Sequence, residues 1–142
     1  MDFYRKWSEY KVGFGNIDGE FFIGLDKLHA LTTTLKPVEL LIQLGDFYDD
    51  IRYAKYDDFQ VGNEKQLYKL IKLGSYNGDA GDSFSYNEGL SFTTKDRDND
   101  RTADANCAVY KTGAWWYGAC SKRSVAKYFI FILVINVNIF FF

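Results

Sequence analysis

Between Asp96 and Asp104 the sequence runs Asp96-Arg-Asp98-Asn-Asp100-Arg-Thr102-Ala-Asp104, with carboxylates on alternate residues at its start. A curved loop of this kind can aim several oxygens at one hard cation. Calcium accepts six to eight oxygen ligands at about 2.3–2.6 Å and tolerates irregular geometry, so a few carboxylates completed by backbone carbonyls and water would suffice, whereas magnesium demands stricter octahedral order. The run opens like an EF-hand loop, but Arg101 stands where that loop needs glycine and Cys107 where it needs glutamate. It is therefore not an EF-hand, and the competing reading is a solvated acidic surface.

Other reactive residues are few. The sole histidine, His29, reads as a packed or hydrogen-bonded structural residue. Cys107 and Cys120 lack histidine partners for a metal site. They read as a local disulfide, worth about 2–4 kcal/mol and implying an oxidising, extracellular setting, with two buried thiols as the alternative. Asp46 and Asp49, or the Asp96 cluster, could be cast as glycosidase carboxylates, but such pairs face each other across a cleft in contrasting environments, and these acids crowd single loops. No nucleophile with an adjacent base and no phosphate-binding glycine loop accompanies them. An enzyme is not expected.

The elements that must position this loop are short. Trp7, Tyr10 and Phe14 recur at helical spacing before a glycine-rich turn, and Ile23 to Thr34 reads as a second helix with Leu25, Leu28 and Leu31 on one face. Glu39 to Leu44, Asp50 to Tyr56 and Phe59 to Val61 read as strands, the first two as an antiparallel pair. Tyr68 to Leu73 offers another, with Tyr68, Leu70 and Lys72 on one side. From Gly74 to Trp116 periodicity is weak, and a long irregular stretch within a compact domain is usually functional or tied by a metal or cross-link.

Length and composition suit one globular domain: 142 residues, 47% apolar and 25% charged. Aromatics reach 19%, so some are expected to line a binding surface or sheet face. A net charge of −2 provides no basic field for a phosphate backbone, and nucleic acid is excluded as a partner. Charged Asp2, Arg5 and Lys6 leave no apolar signal segment at Met1, so a secretion signal is expected outside this chain. Tyr128 to Phe142 is uncharged and β-prone, and Asn136 and Asn138 interrupt it. Three readings stand for it: translation past an exon end, a strand that substitutes in the sheet, and a membrane anchor, for which it is short.

Several stretches occur in the order of a known family. These are Asp2-Phe-Tyr-Arg-Lys-Trp7 through Gly-Asn16, then Gly19-Glu-Phe-Phe-Ile-Gly-Leu25, Leu28-His-Ala-Leu-Thr, Tyr53-Ala-Lys-Tyr-Asp-Asp-Phe59, Gly78-Asp-Ala-Gly-Asp-Ser-Phe-Ser-Tyr-Asn87, Phe92-Thr-Thr-Lys-Asp-Arg-Asp-Asn-Asp100, Asn106-Cys-Ala and Gly113-Ala-Trp-Trp-Tyr-Gly-Ala-Cys120. Over Asp2 to Cys120 the chain resembles fibrinogen-related domains. The resemblance implies an α+β fold: a twisted antiparallel sheet with short helices and a loop-rich calcium-binding subdomain. It implies a calcium ion held by side-chain oxygens of Asp98 and Asp100 and by carbonyls near Thr102 and Asp104, beside a Cys107–Cys120 disulfide. It further implies a neighbouring pocket with Tyr110, Trp116 and Tyr117 as walls, recognising an acetylated carbohydrate or a protein ligand.

Residues 2–120 are thus assigned to a partial domain and 121–142 to a tail outside the family pattern. After Cys120 comes Ser121-Lys-Arg-Ser where the family continues with His and a Leu-Asn-Gly stretch, and the family's upstream cysteine pair is not in this chain. The function expected is a secreted, calcium-stabilised, lectin-like or adhesion module of the innate-defence or matrix type, its ligand pocket incomplete here because the far wall after Cys120 departs from the family pattern, with any homo-oligomer formed through regions outside this chain. The alternative is a non-functional or interfering fragment.

Overall fold

The computed structural model describes residues 1–45 and 50–120, together with the backbone of 129–135. Helix α1, Trp7–Val12, begins where the Glu9 carboxylate accepts the Lys6 N–H at 3.0 Å, and it buries Trp7 and Tyr10. It stops at Gly13, whose φ of +96° and close approach to the Ile23 carbonyl leave no room for a side chain. A hairpin follows, β1 (Phe14–Gly15) with β2 (Phe21–Phe22), and Tyr10 meets Phe14 and Phe22 edge-on at 5.0 Å each.

Helix α2, Leu25–Thr34, buries Leu25, Leu28 and Thr32. Leu31 is only half-buried, because 3.6 residues per turn carries the inner face from 28 to 32. The threonine is accommodated by donating to the Leu28 carbonyl at 2.8 Å and accepting the Val61 N–H at 3.1 Å. Three residues before it, His29 Nδ1 lies 2.9 Å from the Val61 carbonyl, a structural contact.

After a cis Lys36–Pro37 bond, β3 (Glu39–Gly45) pairs antiparallel with β4 (Ile51–Tyr56), with Leu40 opposite Tyr56 and Ile42 opposite Ala54. All four of these residues are buried, the period-two pattern of a sheet with one face on the core. A second small pair joins β5 (Gln60–Val61) to β6 (Leu70–Lys72). Lys72 is not on the inner side with Tyr68 and Leu70: it is exposed and ion-paired with Asp58, and Leu73 is buried instead, since turning the ammonium inward would desolvate it and break that pair. Strand β7 (Tyr76–Gly78) flanks β4, and the short helix α3 (Cys107–Tyr110) follows the acidic loop. The tail contributes β8 (Phe129–Ile135), whose backbone runs antiparallel to β3 from Glu39↔Ile135 to Gly45↔Phe129 and completes the sheet order β7-β4-β3-β8. Among the described residues no helix is long and apolar enough to cross a membrane.

The aromatic excess is largely a core property. Trp7, Tyr10, Tyr56, Phe59, Tyr68, Phe84, Phe92 and Trp116 are buried together, and each polar tip among them has a partner. Tyr10 donates to the Phe3 carbonyl, Tyr56 to Asp82, Tyr68 to Asp26, and the indole N–H groups of Trp7 and Trp116 to Glu64 and the Tyr68 carbonyl. Among the described residues no buried side-chain polar atom is without a partner.

Tyr56 illustrates the energetics. Burial, and next the hydrogen bond to Asp82 at 2.8 Å, push its phenol above the ordinary range. For Asp82, burial acts upward but is outweighed by hydrogen bonds from Ser85 and Tyr56, which hold the carboxyl below its usual value. Such a group contributes stability that is present above the ordinary carboxylate pKa and lost as pH falls through the depressed one. Tyr56→Phe is therefore expected to cost about 1.5–3 kcal/mol at neutral pH. It should also flatten the acid limb of the stability curve. Urea melts from pH 7 to 3 check both; an unchanged midpoint would show that the bond contributes nothing.

Candidate metal centre

The acidic loop is launched from a rigid base. Thr93 and Thr94 are fully buried, Thr93 exchanges backbone hydrogen bonds with Trp115 (2.9 and 3.2 Å), and Thr94 does so with Arg97 (3.0 and 3.1 Å). Asn99 turns inward, its side-chain amide donating to the Phe92 carbonyl at 2.8 Å and its N–H to Thr93 Oγ1 at 3.1 Å. Its neighbours Asp98 and Asp100 fold back on the loop itself. Asp98 Oδ1 accepts the Asp100 N–H at 3.2 Å; Asp100 accepts the Thr102 N–H on Oδ1 at 2.7 Å and the Cys107 N–H on Oδ2 at 2.8 Å.

The far side is tied as firmly. Arg101 N–H donates to the Gly118 carbonyl at 3.0 Å, and Cys107 and Cys120 form a disulfide with Cα atoms 5.0 Å apart. The Thr102 hydroxyl rests against both sulfurs, at 3.5 and 3.6 Å. Asn106 caps α3, accepting the Ala108 N–H at 2.8 Å and the Val109 N–H at 3.3 Å, while its amide donates back to the Thr94 carbonyl at 3.0 Å. That clamp was absent from the sequence reading, although an asparagine before Cys-Ala-Val-Tyr is an N-cap signal.

The electrostatics single out two carboxylates. Although Asp98 is exposed, partial desolvation of its carboxyl by the folded loop, then the charge of Asp100, push it above its usual range despite the hydrogen bond from Asp100 N–H. Asp96 behaves oppositely: burial acts upward, but hydrogen bonds from the Trp7 N–H (2.9 Å) and the Thr94 hydroxyl (2.8 Å) hold it low. The first acid of the run is thus engaged structurally. Asp98 and Asp100 retain free lone pairs and repel each other, the donor chemistry that suits a hard divalent cation. Asp100 also lies within 4.8 Å of both sulfurs, but a disulfide offers no thiolate ligand. Thr102 is half-buried and Asp104 exposed on the following turn. Asp46 and Asp49 lie outside the described residues.

The three aromatics next to the loop do not form one wall. Tyr110 is 72% exposed with Lys111 stacked over its ring, while Trp116 is 3% exposed and sits in the core. Tyr117 is half-buried, its hydroxyl donating to the Gly113 carbonyl at 2.6 Å, and burial pushes its phenol up to about 12.

The family model for the C-terminal globular domain of fibrinogen beta and gamma chains matches residues 1–132, reaching past Cys120 into the tail. The chain belongs to the fibrinogen-related family. It is 48% identical to Tenascin-R of Gallus gallus over 124 residues, covering 87% of this chain and 9% of that protein. Among solved structures it is similar to the fibrinogen-like globe domain of human ANGPTL2, with a TM-score of 0.81 and 43% identity over 89% of this chain and 57% of that one. It also resembles a lamprey fibrin D-dimer complexed with the peptide Gly-His-Arg-Pro-amide, with a TM-score of 0.78 and 32% identity over 84% of this chain and 42% of that one. The chain thus spans about half of the solved globe domains and a small part of the curated relatives.

Removing the disulfide of this fibrinogen-related domain, as Cys107→Ser with Cys120→Ser, is expected to lower stability by about 2–4 kcal/mol. A urea midpoint unchanged from the oxidised chain would show that the loop is held by hydrogen bonds alone.

Proposed function

We propose that the chain is a non-enzymatic, extracellular recognition domain stabilised by one calcium ion at Asp98 and Asp100. The observation that carries this reading is the pair itself: the carboxylates of Asp98 and Asp100, the first pushed up by desolvation and then by the charge of the second, in a loop whose N–H groups they already accept and which a disulfide adjoins. Calcium would supply charge neutralisation and a fixed centre for loop oxygens. Asp98 and Asp100 would hold it through their carboxylates, with carbonyl oxygens near Thr102 and Asp104 completing the shell. The disulfide supports an oxidising, extracellular setting.

The ligand would be an acetylated carbohydrate, or a peptide as in the fibrin relative, taken beside the loop. Tyr110 and Tyr117 supply the accessible aromatic surface there, while Trp116 backs it from the core. The test is retention on N-acetylglucosamine-derivatised beads. Binding in calcium that is lost on chelation and weakened in Tyr117→Ala is expected; no retention by a chain that binds calcium would overturn the carbohydrate reading.

A further inference from the structure

Three consecutive residues at the base of the acidic loop, ahead of Asp98, all reach to the beginning of the chain. Lys95 Nζ donates to the Tyr4 carbonyl at 2.6 Å and lies 4.1 Å from the centre of the Tyr4 ring. Asp96 Oδ1 accepts the Trp7 N–H at 2.9 Å. The Arg97 guanidinium stacks 4.4 Å over the Trp7 ring and lies 3.8 Å from Glu64, which in turn accepts the Trp7 indole N–H at 2.9 Å and pairs with Lys11. Residues 94–97 form a tight turn closed by two hydrogen bonds between Thr94 and Arg97, so what grips the turn also sets the direction in which Asp98 leaves it.

We infer that the Tyr4–Trp7 segment is a latch on the 95–97 turn that sets the cation affinity of the Asp98–Asp100 loop. This rests on the calcium reading above. The physical reason is preorganisation. A loop whose base is fixed has less conformational freedom to lose when its oxygens converge on an ion, so holding the base strengthens binding without adding a ligand. The coupling is reciprocal: whatever the docked segment adds to calcium affinity, calcium adds to the docking of the segment. An event at the start of the domain thereby reaches the loop.

The charges make the idea separable from simple electrostatics. Lys95 and Arg97 are cations beside a cation site, so by Coulomb's law alone their removal should tighten calcium binding. The latch requires the opposite. In Lys95→Met with Arg97→Met, both in the intact chain, calcium affinity measured by titration calorimetry is expected to fall about three- to tenfold. In the unaltered chain, calcium is expected to slow hydrogen exchange of the Trp7 amide, which no ligand touches, and this readout decides the matter if the double variant fails to fold. Equal or tighter calcium binding in the variant, or a Trp7 amide indifferent to calcium, overturns the latch and leaves the calcium reading standing. A wild-type chain that binds no calcium overturns both.

Discussion

Trp116→Ala is expected to destabilise the domain by about 3–5 kcal/mol, the range for removing a large aromatic from a packed core. The indole is 3% exposed and meets Phe84, Phe92 and Trp115 at ring distances of 5.1 to 5.9 Å. Its N–H donates to the Tyr68 carbonyl at 2.7 Å, so truncation leaves a cavity and an unpaired buried acceptor at once. Asn87 adds a third tie by donating to the Trp116 carbonyl at 2.7 Å. Tyr110→Ala, at a site 72% exposed, should change stability by less than about 0.5 kcal/mol. Urea unfolding of the two variants checks this contrast. A mild Trp116→Ala would mean that the residue serves the surface and not the core.

Asp98→Asn and Asp100→Asn are expected to abolish the same calcium response while differing in its absence. At a calcium concentration about 100 times the dissociation constant, the ion should add about 2.7 kcal/mol, and either substitution removes a ligand oxygen together with its charge. Without calcium, Asp100→Asn places an amide where one of two N–H donors, from Thr102 or Cys107, needs an acceptor, and should cost about 1–3 kcal/mol. Asp98→Asn loses little in the same state. Its carboxylate accepts one N–H at the surface and repels Asp100, so relief of that repulsion offsets the change. Melts of both variants with calcium and with chelator give the comparison. Equal calcium responses in wild type and Asp98→Asn would remove Asp98 from the ligand set.

Elements with a strong repeat were legible in the chain itself. Helices α1 and α2 and the β3–β4 pair follow from spacing, because burial on one face imposes a period, although Phe14, the third member of the first repeat, falls in β1 once Gly13 has ended the helix. Spacing failed where a single side chain's chemistry decided the face. Thr32 replaces Leu31 because the Leu28 carbonyl and Val61 N–H satisfy its hydroxyl, and Leu73 replaces Lys72 because the ammonium pairs with Asp58. The aromatic excess could not be apportioned from composition, since a tyrosine serves a core as well as a surface once its hydroxyl has a partner such as Asp82 or Asp26.

In the loop, alternating carboxylates were visible, but the division of labour among them was not. Asp96 is engaged by the N–H of Trp7, 89 residues away, and Asn99 and Asn106 act on backbone carbonyls brought close only by folding. No local pattern encodes such contacts. The family resemblance ordered the motifs correctly, and the geometry explains why they sit together: the Trp115-Trp116 stretch closes over the same base from which the acidic loop departs.

The most direct test of calcium stabilisation is a thermal-unfolding scan of the oxidised chain in calcium and in chelator. A single cooperative transition that moves up with calcium concentration and returns on chelation is the predicted result. Coincident transitions in both conditions would contradict a calcium site at Asp98 and Asp100.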